Sequence, residues 1–538
     1  MAVFQLIILL LLAGAVLSAW SRRLNVPYPA LLALAGAGLA LLPHAPTVNL
    51  DPELALALFV APVLLDAAYD SSPRDLRRNW RPVAGLALGA VALTVAAVAF
   101  VARWLEPGLP LASAVALGAI VAPPDAAAAM AVLRHLRPPH RVLVILQGES
   151  LFNDASALLT YRLAVIAALS GGFSLGTAVP TLLLVAAGSV VLAAILSRIS
   201  LYVSARIRDV ATAVIVQFVS TFAVWIIAER LHLSGIITVV VFAILVARVA
   251  PDLIPARLRI QSYAVWEVAV FVLNVLAFIL IGLQLKPILG RLAGAELERY
   301  VAVAGAVCAA VIVVRIVWVM GFVAVGRRLG EWRLKGRGAA VVAWCGMRGI
   351  VTLAAALALP AIPYRDLILF TAFSVVLVTL VVQGMTVTPL MRALALRDDG
   401  SVDREVREAR VETLRAGLAA VDDGPHDGEE VAFLRRKFAA RLRHAEQGDD
   451  GGTRDPEREG WSEYADALGR AQRAQRRVLM ELRAEGVIGD DAFHRIEEEL
   501  DWAEVNTAPG RDDEEPGSDS AAPPRGRDGR GRSEGTSA

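Results

Sequence analysis

The sequence predicts an all-α polytopic membrane protein with about 13 transmembrane helices and a soluble tail. Three observations carry this. Hydrophobic residues make up 56% of the chain and charged ones 20%, more apolar side chain than a soluble core of this size would hide. Apolar runs of roughly 20 residues recur from the N-terminus to about residue 395, each long enough to cross a bilayer as a helix. After Asp398 the texture turns charge-rich.

In order along the chain, the apolar stretches lie at about 4–20, 28–44, 52–69, 82–102, 111–133, 142–169, 174–197, 210–228, 233–250, 264–285, 301–324, 338–359 and 367–391. Several contain Gly or Pro, which membrane helices tolerate because neighbouring segments satisfy the freed backbone groups. With the N-terminus outside, the cytoplasmic loops hold 20 Lys and Arg, from Arg22 and Arg23 to Lys335 and Arg337. The opposite loops hold 6: Arg103, Arg230, Lys286, Arg291, Arg299 and Arg365. This bias orients the chain N-out and C-in in its membrane. No Lys or Arg precedes the first apolar run and Arg22 and Arg23 follow it, the reverse of a signal peptide, so a retained first helix is expected. Twelve spans result if the first or second stretch is re-entrant.

Composition also excludes function classes. Cys308 and Cys345 both fall inside apolar stretches, and no metal-ligand spacing surrounds the 7 histidines, so neither a redox centre nor a resident metal or cofactor is expected. The net charge of +1 gives no reason to expect a nucleic-acid partner. An enzyme would need a nucleophile and base or a metal cluster, and a channel a continuous polar pore. The charges inside the apolar stretches are only Asp, Glu and Arg.

Ionisable residues inside a bilayer are costly, and each is by default a site candidate. Asp125 stands in ALGAIVAPPDAAAAMAV, directly after Pro123 and Pro124. Two consecutive prolines remove backbone donors and open the helix, leaving free carbonyls on one side of the break and free amides on the other. In QGESLFNDASALLTYRLAV, Glu149, Asn153 and Ser156 share one helical face and Ser150 and Asp154 the adjoining one. If packing brings Asp154 beside Asp125, two carboxylates face one cavity, and a monovalent cation or a proton relieves their repulsion. Their oxygens, with Ser150 and freed carbonyls, suit an alkali cation. In VVAWCGMRGIVTLAAALALP, Gly346 and Gly349 flank Arg348, weaken the helix and permit close approach. A buried arginine needs a buried carboxylate. Glu149 is the preferred partner, with Asp125 and Asp154 the others. Asp66, Gln217, Glu229, Glu267, Asn274 and Arg315 carry weaker signals, as interhelical hydrogen bonders or interface groups.

These segments, VAPPDAAAA, GESLFNDASAL, AERLHLSGIITVV, FVLNVLAFILIGLQL, GMRGIVTLAAALALP and LVVQGMTVTPL, in this order resemble the bacterial NhaP-like sodium/proton antiporters of the monovalent cation:proton antiporter-1 family. The resemblance covers residues 4 to 392. It implies an inverted-repeat fold with a dimerisation bundle and a core bundle, in which two discontinuous helices, here the fifth and twelfth stretches, cross near the ion site. It implies a homodimer in the lipid bilayer exchanging cytoplasmic Na⁺, or Li⁺ or K⁺, for external H⁺ by alternating access, electroneutrally and for pH and sodium homeostasis. K⁺/H⁺ exchange on the same fold is the nearest alternative. By the resemblance, Asn153 and Asp154 are the family's Asn–Asp pair, with Asp154 the ion- and proton-binding carboxylate. Asp125 is its other core aspartate, and Glu149 with Arg348 its core ion pair. Many relatives have Thr before the core Asp and Pro after it, where this chain has Pro124 and Ala126, which changes the ligand set.

The domain organisation expected is a transmembrane domain at 1–395, a cytoplasmic helical tail at 396–505 and a disordered terminus at 506–538. The tail pairs the amphipathic run VDREVREARVETLRAGLAAV with helical portions from about Trp461 to Glu485 and at 490–505. The Asp- and Gly-rich region 422–458 reads as a linker between them.

Overall fold

The computed structural model describes residues 2–447, except 25, 44–50, 137, 171–174, 291–293, 329–335 and 423–427, together with scattered positions between 470 and 502. All the regular structure there is helical, and it falls into two compact units, Met1–Val402 and Asp403–Ala538.

In the first unit, ten helices among the described residues are long and apolar enough to cross a membrane, against the 13 stretches read from the sequence. The other three stretches are helical but short or interrupted. Tyr28–Ala40 has 13 residues. The stretch at 52–69 is built of Pro52–Ala55, a wide π turn at Leu56–Val60, and Ala61–Tyr69. Pro62 explains the widening, because it has no amide to donate back and its ring crowds the preceding turn. The twelfth stretch is split into Gly336–Trp344 and Ile350–Leu357 by the non-helical residues 345–349. The fifth is split likewise, into Leu111–Val121 and Ala126–Leu136.

Two sets of helices can be told apart by their packing. In one, Leu111–Val121 packs on Val91–Leu105 and on His140–Ser170, while Gly294–Arg328 packs on Val91–Leu105, Gly336–Trp344 and Arg365–Val378. In the other, Tyr28–Ala40 lies along Ala256–Leu283, and Gly235–Leu253 contacts Leu175–Ser204, Val210–Arg230 and Ala61–Tyr69. Gly36 and Gly282 face each other in the second set so closely that a Cβ on either would strike the opposing backbone. Small residues let these two helices meet at backbone distance. A second π turn, Gly85–Ala90, exposes carbonyls that neighbouring helices take up. The Trp318 indole donates to the Gly85 carbonyl at 3.0 Å and the Ser156 hydroxyl to Ala87 at 2.7 Å. The first set thereby fastens His140–Ser170 and Gly294–Arg328 around the broken helices.

The second unit departs from expectation. The region 422–458, read as a linker, contains the 19-residue helix Glu429–Gln447. Averaging over the flanking Asp and Gly hid it. Glu429 and Glu430 occupy its first turn, where negative charge is favoured, and Val431, Phe438, Leu442 and Ala445 recur on one half-buried face. It pairs with Ser401–Asp422 as a helical hairpin. Phe438 packs over Gly417, and Arg415–Glu446 and Arg435–Asp422 pair at 2.7 and 2.5 Å. The helical portions expected at 461–485 and 490–505, and the terminus at 506–538, lie almost wholly outside the described residues.

Candidate ion-binding site

The two breaks cross. The amide of Asp125 donates to the carbonyl of Met347 at 2.7 Å, so the interruption at 122–125 rests directly on the interruption at 345–349. Sequence explains why these groups are free. Pro123 and Pro124 have no amides for the carbonyls of Ala119 and Ile120, and the Asp125 amide, turned toward Met347, no longer serves Val121.

Four half-helix ends meet here, and each is met by charge. Arg348, 1% exposed, reaches the C-terminal end of Leu111–Val121. Its Nε donates to the Val121 carbonyl at 2.9 Å, Nη2 to Ala122 at 3.2 Å, and Nη1 to the Gly346 carbonyl. Its backbone amide donates to Thr379 Oγ1 at 3.0 Å. Arg315, 2% exposed, serves the C-terminal end of Gly336–Trp344 in the same way. Its Nη2 donates to Val342 at 3.1 Å and to Cys345 at 3.4 Å. A guanidinium at a helix C-terminus supplies donors to orphaned carbonyls and opposes the negative end of the dipole.

The N-terminal ends face Asp125. Its Oδ1 accepts from the Ala127 amide at 2.8 Å, as an N-cap of Ala126–Leu136. Its other oxygen lies where a Cβ of Gly349 would stand, at the start of Ile350–Leu357. Only glycine leaves space for that carboxylate. Asp125 is therefore held between the positive ends of two half-helices.

The expected Glu149–Arg348 ion pair is not formed. Glu149 pairs with Arg315, with Oε1 to Nη1 at 2.5 Å and Oε2 to Nη2 at 2.8 Å. The forked guanidinium meets the carboxylate with both arms, and both side chains are buried. Arg348 is committed to the opposite half-helix, and Gly346 separates the two guanidinium groups: a Cβ there would strike both Arg315 and Arg348.

Asn153 and Asp154 stand on the long helix His140–Ser170, one turn past Glu149. The Asn153 amide donates to the Pro124 carbonyl at 3.2 Å, while its own Oδ1 is buried without a hydrogen-bond partner among the described residues. Asp154, beside Asn153 on the same helix, is 4% exposed. No hydrogen bond or ion pair to its carboxylate occurs among the described residues. Ser150 is half-buried one turn earlier, with no bond to either aspartate. The structure thus brings Asp125, Asn153, Asp154, Pro123, Pro124, Gly346, Gly349, Glu149 and Arg348 to one crossing, and adds Arg315 and Thr379. Arg315, a weaker signal as the one charge inside the run VCAAVIVVRIVWVMG, turns out to hold Glu149, whereas nothing in the sequence distinguishes Thr379. Glu229, a weaker signal, pairs with Arg162 at 2.9 Å away from this crossing. Among the described residues no cluster of His, Cys, Asp and Glu is arranged to hold a resident metal.

The model of the sodium/hydrogen exchanger transmembrane family matches residues 7–393. The chain belongs to this family. As a member it is a multi-pass membrane protein and a secondary transporter, not an enzyme. Over 94% of its length and 96% of the relative's, it is 30% identical to an uncharacterized Na⁺/H⁺ exchanger of Mycobacterium tuberculosis. It is 29% identical to a sodium, potassium, lithium and rubidium/H⁺ antiporter of Bacillus pumilus, over 78% of this chain and 66% of that one. Among solved structures, the sodium proton antiporter MjNhaP1 of Methanocaldococcus jannaschii superposes with a TM-score of 0.58 at 19% identity, over 73% of this chain and 98% of that one. That likeness places the exchanger in the NhaP fold.

Proposed function

We propose that the protein exchanges cytoplasmic Na⁺ for external H⁺, with Asp154 as the carboxylate that carries each in turn and Asp125, Asn153 and Ser150 as its neighbours in the site. One observation supports this most directly. Of the five ionisable side chains at the crossing, four are compensated: Glu149 by Arg315, Arg348 and Arg315 by half-helix carbonyls, Asp125 by two half-helix N-termini. Asp154 alone is buried with no described partner. A buried unpaired carboxylate is strongly disfavoured, so it takes either a proton or a cation before crossing the low-dielectric barrier.

Charge balance supports a stoichiometry as well. Three carboxylates against two guanidinium groups leave one negative charge, which one H⁺ or one Na⁺ cancels. The loaded core is then neutral in both forms, and the exchange is electroneutral at one for one. Oxygen donors alone do not separate Na⁺ from Li⁺ or K⁺, and the Bacillus relative's breadth is reason to assay all of them. In the cycle, Asp154 is protonated from outside, and cytoplasmic Na⁺ displaces the proton when the site opens inward.

The arginine distribution supports an N-out, C-in chain of 13 crossings, the split and short helices completing those that the ten long ones leave. The transmembrane domain at 1–395 would work as a homodimer, with the second helix set as its scaffold and the tail on the cytoplasmic side. The deciding experiment is fluorescence dequenching in everted vesicles with Na⁺, Li⁺ or K⁺ added across a range of pH. Asp154→Asn should be inserted and folded yet silent with every cation. Cation-driven proton flux from that variant would overturn the assignment.

A further inference from the structure

The crossing contains a hydroxyl that the exchange reading leaves unused. Thr352 is 1% exposed, and its Oγ1 is buried without a hydrogen-bond partner among the described residues. This is unusual for a helical threonine, whose hydroxyl ordinarily bonds back to the carbonyl one turn earlier. Thr160, Thr221, Thr238 and Thr379 all do so here, at 2.7 to 2.8 Å. Two other buried hydroxyls lack partners, those of Ser113 and Thr371, but Thr371 lies mid-helix and Ser113 at the far end of its half-helix from the break.

Position gives the hydroxyl a purpose. Gly349 is the N-cap residue of Ile350–Leu357 and Thr352 is the third residue of that half-helix. A side chain at the third position reaches back toward the cap, the geometry on which capping boxes depend. At this cap there is no side chain; the Asp125 carboxylate occupies its place. Thr352 thus belongs to the turn against which Asp125 rests.

We propose that Thr352 Oγ1 is a ligand of the transported cation, completing an oxygen shell with the Asp125 and Asp154 carboxylates and the free Asn153 Oδ1. It supplies a hydroxyl where Pro124, before Asp125, has none. A neutral hydroxyl adds no charge, so it favours an ion that needs several oxygens over a proton, which needs one. It therefore sets cation affinity without entering the proton balance. The inference rests on the exchange reading above.

The test compares Thr352→Val and Thr352→Ser in everted vesicles at a fixed alkaline pH, with Asp154→Asn in parallel. Valine keeps the branching and volume of threonine and removes the oxygen. The apparent KM for Na⁺ should rise about tenfold in Thr352→Val, with a much smaller change in maximal rate and a changed ratio of KM between Na⁺ and Li⁺. Serine should restore KM to within about twofold of the parent, as it restores the oxygen. A merely structural threonine would lower maximal rate or thermal stability and leave the Na⁺ to Li⁺ ratio alone. An unchanged KM in Thr352→Val, beside a silent Asp154→Asn, overturns the assignment of Thr352 only. Exchange retained in Asp154→Asn overturns the site reading itself.

Discussion

The pairing of Glu149 with Arg315 makes a prediction that separates it from a pairing with Arg348. Both Arg315 and Glu149 are 2% exposed at the side chain, and the two contacts of 2.5 and 2.8 Å are bidentate. Replacing Arg315 by Met keeps an unbranched stem but leaves Glu149 charged, buried and alone. Breaking a buried pair from one side costs about 3–5 kcal/mol. The carbonyls of Val342 and Cys345 lose their donor too. Removing both partners, as Glu149→Gln with Arg315→Met, should recover part of that cost, because no uncompensated charge remains. We expect a coupling between these positions of about 2 kcal/mol or more, roughly thirtyfold in an unfolding constant. The cycle of Glu149→Gln with Arg348→Met should be additive to within about 0.5 kcal/mol, since Arg348 acts on Val121 and Ala122 instead. Unfolding in mixed micelles titrated with SDS measures all the variants. Coupling of Glu149 to Arg348 larger than to Arg315, or a tolerated Arg315→Met, would refute the reasoning.

Three further outcomes follow from the same geometry. Gly349→Ala places a methyl group on the Asp125 carboxylate; it should cost about 1–3 kcal/mol and silence exchange, whereas Gly305→Ala, where nothing lies within 4 Å, should be active and no less stable. Electroneutral exchange should run at the same rate when a valinomycin-clamped K⁺ gradient sets the potential to either sign, and a steep dependence on potential would exclude one-for-one stoichiometry. Asp209 caps Val210–Arg230, and the Thr212 amide and hydroxyl hold its carboxyl below the usual carboxylate range. A group lowered on folding contributes above its unfolded pKa and loses that contribution as pH falls through the folded one. The stability lost in Asp209→Ala should therefore be full near neutrality and shrink in acid below pH about 4, and a gap constant from neutral to acid would contradict it.

The charge census shows how the site and the transport step connect. Among the described ionisable side chains at the crossing every charge but that of Asp154 has a fixed partner, and in the proposed exchange Asp154 is the one that carries the cargo. Arg348 and Arg315 play matching parts, each seated on the severed end of a different helix. Replacing Arg348 would thus leave the buried carbonyls of Val121 and Ala122 without this donor.

Much of this was legible beforehand. Composition and run length sufficed for an all-α membrane chain, because a bilayer demands long apolar helices whatever their arrangement. Pro123, Pro124, Gly346 and Gly349 announced two interrupted helices, since backbone rules act locally. Asp125, Glu149, Asp154 and Arg348 stood out because intramembrane charge needs a reason. Spacing along one helix could also place Asn153 and Asp154 one turn past Glu149.

Which arginine answers Glu149 was a different kind of question. Arg315 and Arg348 are each a single charge in an apolar run, and residues 149, 315 and 348 lie on three separate segments, two helices and the break at 345–349. Only their relative packing puts Arg315 opposite the carboxylate and turns Arg348 to the end of Leu111–Val121. The same holds for Asp125, whose place against Gly349 depends on the crossing, and for Thr379 and Thr352, which look ordinary in sequence. The helix Glu429–Gln447 was missed for a local reason, dilution by flanking Asp and Gly, though its own pattern is amphipathic. By itself, then, the sequence determined the solvent, the helices and where they break, because these depend on near neighbours along the chain. The partner of each buried charge was decided by tertiary structure alone, because it depends on which distant side chains share a dry space.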